Sequence, residues 1–167
     1  CGKDLTHPSR AHQSGRDGRI GAAGARARDG LLRGIRLSRL FTTARATLPP
    51  HYLDDPAHAS AYLSYFLPVN LSKAQVLLDE LPWDRGVGAS DRPMAVLDLG
   101  SGPGTVALAL LDWLWHRSPD QAKSLSVLAA DASSAPLQDA KKLWEAYCRE
   151  VGIATSGLRY VEGNLEH

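Results

Sequence analysis

In the second half of the chain, short continuous apolar runs alternate with longer helical stripes. Met94 to Leu99 is a brief apolar run and predicts a buried strand. Thr105 to His116 is apolar almost all round at helical spacing, which predicts a helix buried on more than one side. Leu125 to Ala130 predicts a second strand. From Pro136 to about Val151, the residues Leu137, Ala140, Trp144, Tyr147, Cys148 and Val151 share one helical face. Lys141, Lys142, Glu145 and Arg149 lie opposite, so this is an amphipathic helix. Leu158 to Val161 predicts a third strand. Strand, helix, strand, helix, strand with short turns predicts an α/β fold whose parallel sheet is joined by right-handed crossovers.

The first half reads differently. Residues 1–30 show no hydrophobic period and hold six glycines, which predicts a disordered tail. A helical segment is expected over 31–83. Leu31, Leu32, Ile35, Leu40 and Phe41 can share a helix face, with Arg33, Arg36 and Arg39 towards another, until Pro49-Pro50 breaks the element. Asp55-Pro56 reads as an N-cap followed by proline at the first helical position. That helix is expected to carry Ala61, Tyr62, Tyr65 and Phe66 as its apolar stripe and to stop at Pro68. Asn70 is placed to cap a further helix to about Leu81, with Leu71, Ala74, Leu77, Leu78 and Leu81 buried. Residues 84–93 read as a loop, and 94–167 as the α/β unit.

Charge changes this picture more than composition does. Residues 1–47 hold ten basic and three acidic side chains, a net +7, and residues 48–167 hold nine against fifteen, a net −6. A basic head on an acidic body suggests an arm for nucleic acid or a membrane surface. The helix within that head is read as packed on the next segment; an RNA-contacting helix and part of a targeting peptide are the other readings. The longest apolar run, Val106 to Leu111, is far too short to span a bilayer, so no membrane partner is expected. Two cysteines, Cys1 and Cys148, make neither a disulfide framework nor a zinc site by spacing, and a reducing, cytoplasmic location is the default. No metal is expected.

The chemistry lies at the end of the first predicted strand, in Val96-Leu97-Asp98-Leu99-Gly100-Ser101-Gly102-Pro103-Gly104. Gly100 lets the chain turn off the strand, Gly102 removes a side chain where a ligand touches backbone, and Gly104 opens a helix whose free N–H groups face the crevice. Ligands of open parallel sheets sit there, beyond the carboxyl ends of the strands. A dinucleotide site is spaced G-x-G-x-x-G; here the spacing is G-x-G-x-G, with Thr105 in place of the third glycine. Asp98 repels an anion but suits a cation, and S-adenosyl-L-methionine carries a sulfonium and an ammonium group. Asp131, ending the second strand, can accept both ribose hydroxyls, or can serve as a helix cap. Asn164, after the third strand, can meet an adenine edge through its amide, or can be part of a Gly-Asn turn. The expected cofactor-binding set is therefore Asp98, Gly100, Ser101, Gly102, Gly104, Asp131 and Asn164. Ser133 or Ser134 is the expected cap of the following helix. Trp113, Trp115 and Trp144 read as core or interface, and His51 and His58 as surface residues.

Asp98 to Gly104 resembles motif I of the class I S-adenosylmethionine-dependent methyltransferases. Three further stretches, Ser38 to Arg45, Tyr52 to Pro56 and Ala61 to Pro68, with the helix to Leu81, resemble the methyltransferase-like family of the small ribosomal subunit, which has bacterial and mitochondrial members. The resemblance covers roughly residues 36–167. It implies the N-terminal half of a Rossmann-like methyltransferase fold, three parallel strands with crossover helices, preceded by a helical segment. It also implies a link to ribosomal RNA or small-subunit assembly, and makes a mitochondrial location the alternative to a cytoplasmic one. Asn164 departs from the family pattern, which often has Asp there. The family's later cysteine cluster and its acceptor-side motif have no counterpart here, so no catalytic residue is named. The intact protein is expected to be a methyltransferase, this half alone to be inactive, and a non-catalytic assembly or translation factor that keeps the fold is the alternative.

Overall fold

The computed structural model describes residues 35, 37–39, 49, 51–83, 93–154 and 157–163. The tail over 1–30, most of the first basic helix, the loop over 84–93 apart from Pro93, and Asn164 lie outside the described residues. Residues 35 and 37–39 are helical, and Leu37 is buried while Ile35 is exposed, so the face turned inward is not the one expected from Ile35.

The elements of the α/β unit follow the hydrophobic pattern, but the first strand, expected to be buried, alternates between exposed and half-buried residues because only one face of it is packed. Strand β1 (Ala95–Leu99) pairs in parallel with β2 (Ser126–Asp131), which pairs in parallel with β3 (Leu158–Glu162), in the order β1-β2-β3. Between β1 and β2 run helix α3 (Thr105–Arg117) and a short helix α4 (Pro119–Ser124); α5 (Ser134–Val151) connects β2 to β3. Helix α4 was not expected, although Ser118-Pro119-Asp120 places proline at its first position. The core forms where α3 and α5 meet one face of the sheet. Val96, Val127 and Leu158, neighbours in register, pack with Leu110, Leu111, Leu114, Trp144 and Cys148. Trp113 and Trp144 are buried in this cluster and Trp115 packs against it. On the other face three apolar side chains are open, Leu97 at 59%, Leu99 at 56% and Val161 at 49% exposure, beside Arg159 and around the buried Ala130.

Upstream lies a helical arm. A single 3₁₀ turn (Tyr52–Asp54) leads to α1 (Pro56–Ala61), whose N-cap Asp55 accepts hydrogen bonds from Ala57 and His58 N–H at 2.8 and 3.0 Å. These bonds hold the Asp55 carboxyl below its ordinary range. Pro68 does not end the element. A π-turn (Tyr62–Phe66) carries α1 straight into α2 (Leu67–Glu80), and Asn70 lies inside α2 rather than capping it. Proline in an α-helix loses a hydrogen bond and pushes its ring against the carbonyl four residues back. The wider turn shifts the ladder just before the proline, with Leu67 N–H bonding to the Tyr62 carbonyl, so the helix continues. Helix α2 packs on α3, which covers Leu71, Ala74 and Leu78 only in part and leaves Leu77 and Leu81 exposed.

The glycine after β1 and the one before α3 meet different surroundings. Both have left-handed backbones, φ +68° at Gly100 and φ +75° at Gly104. A Cβ at Gly100 meets nothing within 4 Å, whereas one at Gly104 falls 2.9 Å from the Ala140 Cβ of α5. Gly100→Ala is expected to cost about 1 kcal/mol, from backbone strain alone. Gly104→Ala is expected to cost about 2–4 kcal/mol, because overpacking adds to that strain. Chemical denaturation of the two variants measures the difference; equal losses would show that the α3–α5 contact is slack.

Candidate functional site

The loop after β1 is held by its own backbone. Gly100 and Ser101 N–H both donate to the Ala130 carbonyl at 2.9 and 3.0 Å, and Gly104 N–H donates to the Ser101 carbonyl at 2.9 Å. Gly102 N–H donates to Asp131 Oδ2 at 2.8 Å, and Ser133 N–H to Asp131 Oδ1 at 3.0 Å. The N–H groups of 100, 101, 102 and 104 are therefore all engaged within the protein.

The start of α3 is engaged as well. The Asp98 carboxylate accepts from Ser101 Oγ at 2.9 Å and from Ala107 N–H in the first turn of the helix. An N-terminal helix end attracts an anion; here Asp98 is that anion. Half-burial raises the Asp98 pKa above its ordinary value, the Ser101 and Ala107 hydrogen bonds oppose the rise, and the Asp131 charge adds to it.

Above the loop opens a cavity of about 420 Å³, within the range of small-molecule sites. Of the residues predicted to bind a cofactor, Gly100, Ser101, Gly102 and Asp131 line it. Asp98 and Gly104 are not in its wall. Asp98 sits behind Ser101, and Gly104 is packed against Ala140. The remaining predicted residue, Asn164, is outside the described residues. Asp131 proves to be both a turn residue and a cavity residue. A carboxylate has about four acceptor positions and two are taken by backbone, which leaves two for a ligand.

The rest of the wall comes from residues to which the sequence pattern assigned no part in the site. His51, Tyr52, Leu53 and Tyr62 of the helical arm face Ala132, Ser133 and Pro136 of the α5 entry. His51, read as a surface residue, has Nδ1 2.5 Å from Ser133 Oγ, a contact between residues 82 apart. Ser133 occupies the N-cap position of α5 but makes no side-chain cap bond; its hydroxyl meets His51 instead. Tyr62, expected only as helix packing, places its hydroxyl 3.4 Å from Thr105 Oγ1. Burial, with the nearby Tyr62 and Asp131, pushes the Tyr52 hydroxyl pKa up to about 12. Nothing in the local sequence marks these residues, because the contacts exist only once the arm has folded onto the α/β unit.

Among the described residues, no cluster of His, Cys, Asp and Glu is arranged to hold a metal ion, and no helix is long and apolar enough to cross a membrane. No protein-family model and no curated protein matches this chain.

The raised pKa of Asp98 fixes the sign of a pH effect. The folded chain holds this proton more tightly than the unfolded one, so the contribution favours folding below the ordinary carboxylate pKa and is lost as pH rises through the folded value. Asp98→Asn keeps an acceptor for Ser101 and removes the charge. Thermal melting from about pH 4 to pH 7 should show the variant losing less stability with rising pH than the parent. Parallel curves would mean that Asp98 is not desolvated.

Proposed function

We propose that this chain carries the S-adenosyl-L-methionine-binding half of a class I methyltransferase domain, of which the three parallel strands and their helices are the frame. The observation that carries the reading is that the glycine-loop N–H groups are engaged within the protein and that a carboxylate, Asp98, already lies at the adjoining helix end and takes the Ala107 N–H. The loop N–H groups are engaged, Asp98 occupies the α3 terminus, and Asp131 brings a second carboxylate to the cavity. A pyrophosphate would meet two negative charges and few free donors, whereas a sulfonium or ammonium group meets favourable charge. Asp131 retains acceptor capacity for ribose hydroxyls. The bound cofactor supplies an activated methyl group on sulfur. The residues of this chain would hold and orient it: Asp131 would accept ribose hydroxyls, Gly100 to Gly102 would offer backbone as the floor, and Asp98 would supply negative charge behind that floor; Asn164, outside the described residues, is the proposed adenine contact.

The exposed Leu97, Leu99 and Val161 support reading this unit as part of a larger fold in which a further layer covers that face, since parallel sheets are ordinarily covered by helices on both faces. Methyl transfer requires an acceptor held in line with the sulfonium methyl, and no residue here is assigned that task. We further propose, from the resemblance to the small-subunit family, that the acceptor is ribosomal RNA or another ribosomal target, or that the chain serves small-subunit assembly without catalysis.

Calorimetric titration with S-adenosylmethionine, S-adenosylhomocysteine and NAD tests the ligand. Either adenosyl ligand should bind at least about tenfold tighter than NAD, a difference of ~1.4 kcal/mol or more. Equal or tighter binding of NAD would sink the proposal.

The basic residues 1–47 are proposed to contact RNA through phosphates. Binding should then fall steeply with salt, depend little on RNA sequence, and weaken when the segment is deleted. RNA binding with and without residues 1–47 at two salt concentrations measures this; an unchanged affinity and salt slope would transfer the segment to the targeting or disordered-tail reading.

A further inference from the structure

We propose that residues 51–53 form a strap that closes over the cofactor, with the His51–Ser133 hydrogen bond as its latch, so that the helical arm is part of the binding site and not only packing around it. The inference rests on the adenosyl-ligand reading above. Three observations support it.

First, the strap and the glycine loop form one cavity. His51, Tyr52 and Leu53 stand across from Gly100 to Gly102 and Asp131. Leu53 is buried, and its Cδ1 lies 3.8 Å from where a Cβ on Gly102 would stand. A ligand lying along the loop therefore lies against the strap.

Second, the strap is held in a costly conformation. Among the described residues, His51 alone of the non-glycine residues has a positive φ, +63° with ψ +31°. Such a backbone is disfavoured for a residue with a Cβ and persists where surrounding contacts impose it, often at binding sites. Here the backbone contacts lie on the C-terminal side, and the side-chain contact to Ser133 lies across the cavity. The His51 carbonyl accepts from Asp54 N–H at 2.9 Å, and His58 Nδ1 lies 3.2 Å from the Tyr52 carbonyl, which ties the turn to α1.

Third, the partner of the latch has been withdrawn from its ordinary job. Ser133 sits at the start of a helix of 18 residues, where a serine hydroxyl usually caps the backbone, yet it makes no cap bond. It is buried, with its hydroxyl on His51, while its N–H is held by Asp131. One residue thus joins the strap to the carboxylate proposed to bind ribose.

The test uses His51→Gly, Ser133→Ala and the double variant. Glycine adopts the left-handed backbone freely, so His51→Gly removes the ring without straining the turn. Ser133→Ala removes no helix cap. Stopped-flow measurement of S-adenosylhomocysteine dissociation, alongside thermal melting, is expected to show each single variant releasing ligand about three- to tenfold faster, the scale of one hydrogen bond. The double variant should be no faster than the worse single one, because both remove the same contact. Unchanged dissociation in the folded single variants, or independent additive effects, would overturn the strap. If the parent protein binds neither S-adenosylmethionine nor S-adenosylhomocysteine, the cofactor assignment itself falls and the strap falls with it; parent binding with unaltered variants rejects the strap alone.

Discussion

The Asp131 carboxylate joins two stretches of chain that the sequence keeps apart, the loop after β1 and the junction of β2 with α5. It ends β2, accepts the N–H of Gly102 in the loop after β1, and accepts the N–H of Ser133 at the entry to α5. A carboxylate accepting backbone N–H bonds makes charge-assisted contacts of roughly twice the ordinary strength. The floor of the cavity, the start of α5 and the seat of the strap depend on this group. It follows that removing the Asp131 side chain would release the loop as well as a ligand contact, so a change in affinity in such a variant would combine both effects.

Asp98 carries a related compromise. A strand-end carboxylate held half-buried loses hydration, which its raised pKa records. It is retained because Ser101 and the first turn of α3 donate to it, and because the helix end favours negative charge. The same placement denies that helix end to a phosphate. On the reading proposed above, an internal group in that attractive position would act against an anionic ligand and leave an electronegative crevice for a cationic one.

The helical arm is attached by polar ties at its far end. Asp112 on α3 accepts from Gln75 Nε2 at 2.5 Å and from Tyr147 OH at 2.6 Å, linking α2, α3 and α5. Burial and the bond to Asp112 hold the Tyr147 hydroxyl in its protonated form by raising its pKa. Asp79 accepts from Trp113 Nε1 at 2.6 Å and pairs with Arg117, whose guanidinium lies 4.7 Å from the Trp113 ring centroid. Trp83 packs on the same ring at 4.6 Å between centroids. These ties fix α2 on α3, and the continuous helix through the π-turn carries the other end, with Tyr62 and the strap, to the cavity.

Local pattern was enough for the α/β unit. The apolar runs at Met94 to Leu99 and Leu125 to Ala130, and the stripe from Leu137 to Val151, report the elements directly, because strand and helix periods are properties of consecutive residues. They report burial for β2 and α5 but not for β1, whose Leu97 and Leu99 stay exposed because nothing packs on their face of the sheet. The glycine spacing and Asp98 were legible for the same reason, since the left-handed turns and the Ser101–Asp98 bond are local; the bond from Gly102 to Asp131 and the contact of Gly104 with Ala140 are long-range and were not. Pro68 and Asn70 misled because their usual effects assume an unbroken α-helical ladder, and a π-turn is set by how the whole helix packs, not by one residue. Leu77 and Leu81 misled because period does not say how much of a helix face a neighbour covers. What the tertiary structure alone decided is the cavity's second wall. The approach of His51 to Ser133, of Tyr62 to Thr105 and of Leu53 to Gly102 joins residues 43 to 82 positions apart; such pairs leave no period or spacing in the chain, since they arise only when the arm docks.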